Sequence, residues 1–313
     1  MKHADMRTQA WLEISGLSLK RGGRRVLRDI TMAAREPALG VVGANGAGKT
    51  SLIGCLLGLL KPEKGLIRTL DLQIPEQSLE FKTRCGVMLE DAGIFPGGSG
   101  LEAVVFAGSL CGMSRSEAIR QAHEVLDNLD VDEERFRKTQ TYSVGMKQRI
   151  KLAMSLIHEP ELLILDEPTI GLDHQGRRLF LQLIRKLRDQ GVRILFTTHI
   201  LSDAEQICDE IMLLSEGELK HFGAVDSMIE SSEHLYRVRV GGGAARLASV
   251  VAELGFAVKR VDDDGLLFQI NEKEDFRAFW RAVDECSIEI RELGPATKSL
   301  EAAVVQAMES RNA

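Results

Sequence analysis

The stretch Gly43-Ala44-Asn45-Gly46-Ala47-Gly48-Lys49-Thr50, GANGAGKT, decides the reading of this chain. Before it lies an apolar run, Ala38 to Val42, and after it Ser51 to Leu60 has helical character. A glycine-rich loop placed where a strand turns into a helix is the context a phosphate-binding loop requires. Gly43, Gly46 and Gly48 let the backbone bend with its N–H groups inward, and a helix beginning near Lys49 aims its positive end at the same point. Lys49 is then placed to reach the β- and γ-phosphates and the Thr50 hydroxyl to ligate Mg²⁺, with Ala44, Asn45, Ala47 and Ser51 completing the cradle. The expected substrate class is nucleoside triphosphate.

The bulk properties narrow the field around that loop. A chain of 313 residues with 44% hydrophobic content buries a large core and has room for one large domain and a smaller one. Its formal net charge of -6 argues against a nucleic-acid partner, because such domains are usually basic. The five cysteines, Cys55, Cys85, Cys111, Cys208 and Cys286, form no CxxC pair, which excludes the common zinc spacings and suggests reduced thiols in the cytosol. Cys55 lies on the apolar helix after the loop and reads as core. No segment approaches the roughly 18 apolar residues of a membrane span, and the N-terminus lacks a signal-peptide pattern. A membrane role therefore requires a partner.

Along the chain, Trp11 to Leu19, Val26 to Met32 and Leu66 to Leu70 read as strands of a β-rich N-terminal subdomain. The pattern turns helical from Ser99 to Ile157, and Glu117 to Leu129 places Ile119, Ala122, Val125, Leu126 and Leu129 on one face. This predicts a helical subdomain, about 91–160, inserted into the nucleotide-binding core. Leu162 to Leu165 and Ile194 to Thr198 are nearly continuous apolar runs suited to a parallel sheet covered on both faces, with a helix, Gly176 to Gln190, between them. The core is α/β. Ile211 to Phe222 reads as a hairpin through Glu216 and Gly217, Asp226 to Glu233 as a polar linker, and Gly241 to Gly243 as a turn. The tail then reads strand, helix, strand, helix, strand at Tyr236 to Val240, Ala244 to Glu253, Leu266 to Ile270, Phe276 to Cys286 and Ile288 to Ile290, with a last helix at Ser299 to Met308. The expected division is a nucleotide-binding domain over 1–225 and a small α+β accessory domain over 226–313.

Two further motifs distinguish this machine from other phosphate-loop proteins. In Leu162 to Pro168, LLILDEP, Asp166 ends a buried strand and suits the Mg²⁺ shell, while Glu167 is placed to orient or deprotonate attacking water. In Tyr142 to Arg149, YSVGMKQR, Ser143 reads either as an ordinary N-cap or, with Gly145 and Met146 behind it, as a second γ-phosphate site formed by exposed amides. Such a segment is free to serve a second copy of the chain.

The order GANGAGKT, YSVGMKQ, LLILDEP, Gly171-Leu172-Asp173, His199 resembles the nucleotide-binding subunits of ATP-binding cassette (ABC) transporters, over about Leu12 to Gly223. The resemblance implies a P-loop NTPase core, ATP and Mg²⁺ as ligands, and ATP hydrolysis. It implies that Ser143 to Gln148 is the family signature, that Gly171 to Asp173 is the loop facing the partner copy, and that His199 senses the γ-phosphate. It further implies a two-fold dimer closed around two ATP molecules, a membrane permease as partner, and a peripheral place on the cytoplasmic side of the membrane. The Met-containing signature and the C-terminal extension look like the export-type subgroup.

The chain departs from the family pattern twice. Where the family has a glutamine at the end of the strand entering the helical subdomain, Cys85 to Leu89 leads to Glu90, a carboxylate that can still bind Mg²⁺ but alters the charge near the metal. Where an adenine-stacking aromatic is common, Arg21 stands in Lys20-Arg21-Gly22-Gly23, reading as a solvated turn arginine or as a guanidinium stacked on the base. Against the transporter reading stand a soluble ATP-dependent regulatory switch acting on a non-membrane partner, and a phosphotransferase, for which the chain lacks an arginine-rich acceptor lid.

Overall fold

The computed structural model describes residues 9–91, 93–94, 97–230, 235–262, 265–269, 276–286, 288–295, 300 and 304. The chain divides into two compact units, Met1–Gly223 and Ala224–Ala313.

The first unit opens with a hairpin of β1 (Leu12–Arg21) and β2 (Arg24–Ala34), then β3 (Ala38–Val42) and α1 (Lys49–Leu56). There follow β4 (Lys64–Thr69), β5 (Leu72–Ile74), α2 (Ser78–Thr83) and β6 (Cys85–Met88). Next come three helices, α3 (Gly100–Leu110), α4 (Arg115–Asn128) and α5 (Val144–Leu156). The unit closes with β7 (Leu162–Asp166), α6 (His174–Asp189), β8 (Arg193–Thr198), α7 (Leu201–Ile207), β9 (Glu210–Ser215) and β10 (Glu218–Ala224).

These strands form two sheets, one of order β2-β1-β4-β5 and one of order β10-β9-β3-β8-β7-β6. In the larger sheet β3, β6, β7, β8 and β9 run parallel. Every residue of β3 and β7 is buried, which is why both read as unbroken apolar runs. In the smaller, antiparallel sheet β1 buries Leu12 and Ile14, then Leu17 and Leu19. The shift in alternation is a bulge: Gly16 lies at φ 61, and the register slips between Ile14 and Leu17. Gly65 answers it on β4, where a Cβ would lie 2.5 Å from the Leu17 backbone.

The helices start and stop where local chemistry dictates. Ser99 and Glu102 form a capping box on α3, and the two hydrogen bonds from Ser99 hold the Glu102 carboxyl below the usual range. Ser114 caps α4, Ser143 caps α5 and Asp173 caps α6. α1 ends at Leu56, before the expected Leu60, because Gly58 at φ 65 closes its last carbonyls. On α4 the buried face is Ala118, Gln121, Ala122, Val125 and Leu126; Ile119, expected inside, is 38% exposed. Cys55 is core as expected, and burial pushes its thiol up to about 11.

The second unit contains α8 (Val225–Glu230), β11 (Leu235–Val240), α9 (Ala244–Glu253), β12 (Ala257–Asp262), β13 (Gly265–Gln269), α10 (Phe276–Cys286) and β14 (Ile290–Pro295). From β11 onward this is a βαββαβ unit with antiparallel sheet order β12-β13-β11-β14, the ferredoxin-like arrangement. Its core stacks Phe268 on Phe279 and sets Phe256 edge-on to Phe268. Three expectations are corrected here. The polar stretch expected as a linker contains α8, held by buried Val225 and Met228. A strand absent from the sequence reading, β12, pairs with β13, and the last strand runs over Ile290–Pro295 where Ile288 to Ile290 was expected. The expected helix at Ser299 to Met308 lies outside the described residues except for Leu300 and Val304, which are helical and buried. Among the described residues no helix is long and apolar enough to cross a membrane.

Candidate nucleotide site

The parallel sheet brings three strand ends side by side. Val42 of β3 pairs with Thr198 of β8, and Thr197 of β8 pairs with Asp166 of β7. The loop 43–48, Glu167 and His199 therefore emerge at one carboxyl edge, where ligands of open α/β sheets bind.

The loop geometry explains its glycines. Gly48 is the N-cap of α1 at φ 111 and makes no side-chain capping bond, so the first amides of the helix stay available. A Cβ on Gly48 would lie 2.9 Å from Leu27 Cδ2, and one on Gly43 would lie 2.3 Å from the Leu214 carbonyl oxygen. Gly46 sits at φ 82 in open space. Lys49, 7% exposed, donates to the carbonyls of Gly43 at 2.6 Å and Ala44 at 3.3 Å.

Behind the loop lies a polar cluster with few free valences. The Thr50 hydroxyl donates to Asp166 Oδ2 at 3.2 Å, and Thr197 Oγ1 donates to Asp166 Oδ1 at 2.5 Å. Thr197 Oγ1 also accepts the Glu167 amide at 3.1 Å. Glu167 stands at φ 49, a left-handed conformation unusual for a non-glycine residue. Its Oε1 is buried, 3.1 Å from Lys49 Nζ, in an ion pair without hydrogen-bond alignment. Its Oε2 lies 2.9 Å from His199 Nδ1. A carboxylate only accepts, so that nitrogen carries the proton and the outer ring nitrogen is left for a second partner.

A cleft of about 380 Å³ opens in front of these groups, lined by Arg21, Val26, Asn45, Gly46, Gly48, Lys49, Thr50, Ser51, Glu90, Glu167 and Ile170. Arg21 closes β1 opposite Arg24, so it belongs to the strand end, with Gly22 and Gly23 making the turn. Glu90 is exposed, and its carbonyl accepts Lys151 of α5 at 3.0 Å. Burial holds Lys151 below the usual lysine range. Thr50 Oγ1, Asp166 and Glu90 form a hard oxygen set, and Mg²⁺ favours one or two carboxylates plus phosphate oxygens, so these residues fit it.

Ser143, Gly145, Met146 and Asp173 do not line this cleft. Ser143 Oγ accepts the Met146 amide at 3.3 Å and Asp173 Oδ1 the Gly176 amide at 2.7 Å, so both side chains serve as caps. The two segments lie against each other: a Cβ on Gly145 would be 3.7 Å from Leu172, and one on Gly171 would be 3.3 Å from Val144. The sequence reading gave Thr197 no role. Its signal is a hydroxyl at the buried end of β8, where Ile194 to Thr198 are all buried, so that it must find a polar partner.

A glycine loop on an uncapped helix, two acids at the next strand but one and a hydroxyl on the nearer acid define a P-loop NTPase. Residues 28–170 match the family model described as ABC transporter. The chain is 31% identical over 298 residues to the daunorubicin/doxorubicin resistance ATP-binding protein DrrA of Streptomyces peucetius, covering 93% of this chain and 90% of that one. It is 30% identical over 233 residues to a Nod factor export ATP-binding protein I of Bradyrhizobium diazoefficiens, covering 74% and 76%. A solved ATP-binding subunit of an ABC transporter superposes with a TM-score of 0.62 at 27% identity, covering 71% of this chain and 92% of that chain. The protein belongs to the ABC transporter ATP-binding family.

Proposed function

We propose that this chain is the ATP-hydrolysing subunit of a membrane exporter and works as a two-fold dimer. The observation that carries the reading is the meeting of Lys49, Glu167 and His199, with Thr50 and Asp166 beside them. The loop amides and Lys49 bind the phosphates, and Thr50, Asp166 and Glu90 would hold Mg²⁺. When bound, the metal neutralises charge on the phosphate oxygens. Glu167 takes the proton of the attacking water, and His199 Nδ1–H holds Glu167 Oε2 in place. A triphosphate competes with Glu167 for the Lys49 ammonium, so nucleotide entry frees Oε1 to accept that proton.

Ser143, Gly145 and Met146 stand outside the cleft of their own chain, which supports their service to the phosphate of a second copy. Asp173 directly follows Leu172, whose side chain a Cβ on Gly145 would approach to 3.7 Å, and completes that facing edge. Export is supported by the name of the Nod factor export protein. The alignment with DrrA, a drug-resistance ATP-binding protein by name, is long enough to enter the C-terminal unit. Residues 226–313 dock or regulate, and a permease partner holds the dimer at the cytoplasmic face of the membrane.

Glu167→Gln is the direct test. It should keep ATP binding, tightened by loss of the competing Lys49 pair, while turnover falls about 10²- to 10⁴-fold, as loss of a general base does. Unchanged turnover would remove Glu167 from its role.

A further inference from the structure

Asp203 lies on α7 outside the cleft, yet its side chain is 0% exposed. A buried carboxylate is costly unless fully paired. Here Oδ2 accepts Thr169 Oγ1 at 2.7 Å and Oδ1 accepts Arg177 Nε at 2.6 Å, while Arg177 also donates to Ser202 Oγ at 3.1 Å.

The three anchored segments are those the reaction depends on. Thr169, itself 3% exposed, sits in the turn after Glu167, which is closed by Ile170 N to Glu167 O and Leu172 N to Thr169 O, both at 3.2 Å. Arg177 is on the first turn of α6, directly after the 171–173 loop. Asp203 follows His199 on the segment that starts α7, with its amide bonded to the Ile200 carbonyl. Glu167 needs such support, because a non-glycine residue at φ 49 persists only where its surroundings hold it. Thr197 fixes its amide side, and the Thr169 turn fixes its carbonyl side.

We propose that Asp203 is a positioning residue for hydrolysis: through Thr169 and Arg177 it locks the turn that carries Glu167 to the segment that carries His199, and so sets their 2.9 Å contact. The proposal rests on reading Glu167 as the proton acceptor. It assigns Asp203 no contact with nucleotide. Losing the Thr169 hydroxyl loosens the turn without touching the phosphate loop, so the effect falls on kcat and spares ATP affinity.

The test uses the full chain with Thr169→Val, Thr169→Ser and Asp203→Asn, and with Thr169→Val combined with Glu167→Gln. ATP dissociation constants, steady-state hydrolysis and thermal midpoints are measured for each. Thr169→Val and Asp203→Asn should lower kcat about tenfold or more, with ATP affinity within about twofold of the unmodified chain. Thr169→Ser, which restores the hydroxyl, should return kcat to within about twofold, and Thr169→Val should add nothing in the Glu167→Gln background. If Asp203→Asn fails to fold, the near-isosteric Thr169→Val decides. Wild-type turnover in Thr169→Val, in a protein where Glu167→Gln has lost it, overturns the proposal alone. A loss that Thr169→Ser does not restore, or that appears equally in ATP affinity, also overturns it. Full turnover in Glu167→Gln overturns the assignment of Glu167 and this proposal together.

Discussion

The helices α1 and α5 both begin near glycines, and they are finished in opposite ways. α1 starts after Gly48 at φ 111, with no side-chain cap, and its first residues, Lys49 and Ser51, are buried around the cleft. α5 starts after Ser143, whose own hydroxyl takes the Met146 amide, and its Ser143 and Val144 are exposed. The first helix leaves its amides for a ligand held by the same chain; the second satisfies itself and presents a small, open surface beside Leu172. In the proposed dimer, the contrast is between half of a site that is built and half that is displayed.

Substitution at the glycines should separate them most sharply. Gly48→Val places a Cβ at a φ of 111 and 2.9 Å from Leu27 Cδ2. It should cost about 1–3 kcal/mol of stability, the usual range for backbone strain, and abolish ATP binding. Gly145→Ala meets only Leu172 at 3.7 Å, so denaturant unfolding should change little while hydrolysis suffers. Equal destabilisation by both would erase the distinction.

A smaller effect comes from the cap itself. Ser143→Ala removes the bond to the Met146 amide and should cost about 1 kcal/mol in denaturant unfolding, the typical value for a lost N-cap. ATP affinity of the single chain should be unchanged. A weakened affinity would mean that Ser143 serves the phosphate of its own chain.

The smallest effect is expected at Arg21. It lines the cleft from the end of β1. An exposed arginine stacked on a base is worth about 0.5–1 kcal/mol, so GTP should support hydrolysis within about tenfold of ATP. Arg21→Tyr should tighten ATP binding and Arg21→Ala should leave it nearly unaltered. A hundredfold preference for ATP in the unmodified chain would show that the base is read by another residue.

How much of this was legible in the sequence follows from how local each feature is. The phosphate loop and the two acids are contiguous runs whose strand and helix context sits beside them, and the parallel strands β3, β7 and β8 announce themselves through the apolar runs Ala38 to Val42, Leu162 to Leu165 and Ile194 to Phe196. Helix α8 hid behind the polar residues of Asp226 to Glu230, where two buried side chains suffice to hold one turn and a half. Strand β12 hid because Lys259, Arg260 and Asp262 break its apolar pattern at a sheet edge. Ile119 faces solvent because α4 buries Ala118 and Gln121, with Gln121 bonded to Glu159 on another segment. The Asp203 network joins Thr169, Arg177 and Asp203 across residues far apart in the chain, and only folding brings them together.

In the proposed dimer, the built half and the displayed half belong to one site only when two chains meet. Chains carrying Lys49→Ala and chains carrying Ser143→Arg should each be inactive alone, since every shared site then contains one damaged half. Mixed at equal amounts, half of the dimers pair unlike chains, and each such dimer holds one intact site of its two. Hydrolysis should therefore recover to about a quarter of the unmodified rate if the two isologous sites act independently. No recovered hydrolysis, with the mixed dimers shown to form, would contradict the account.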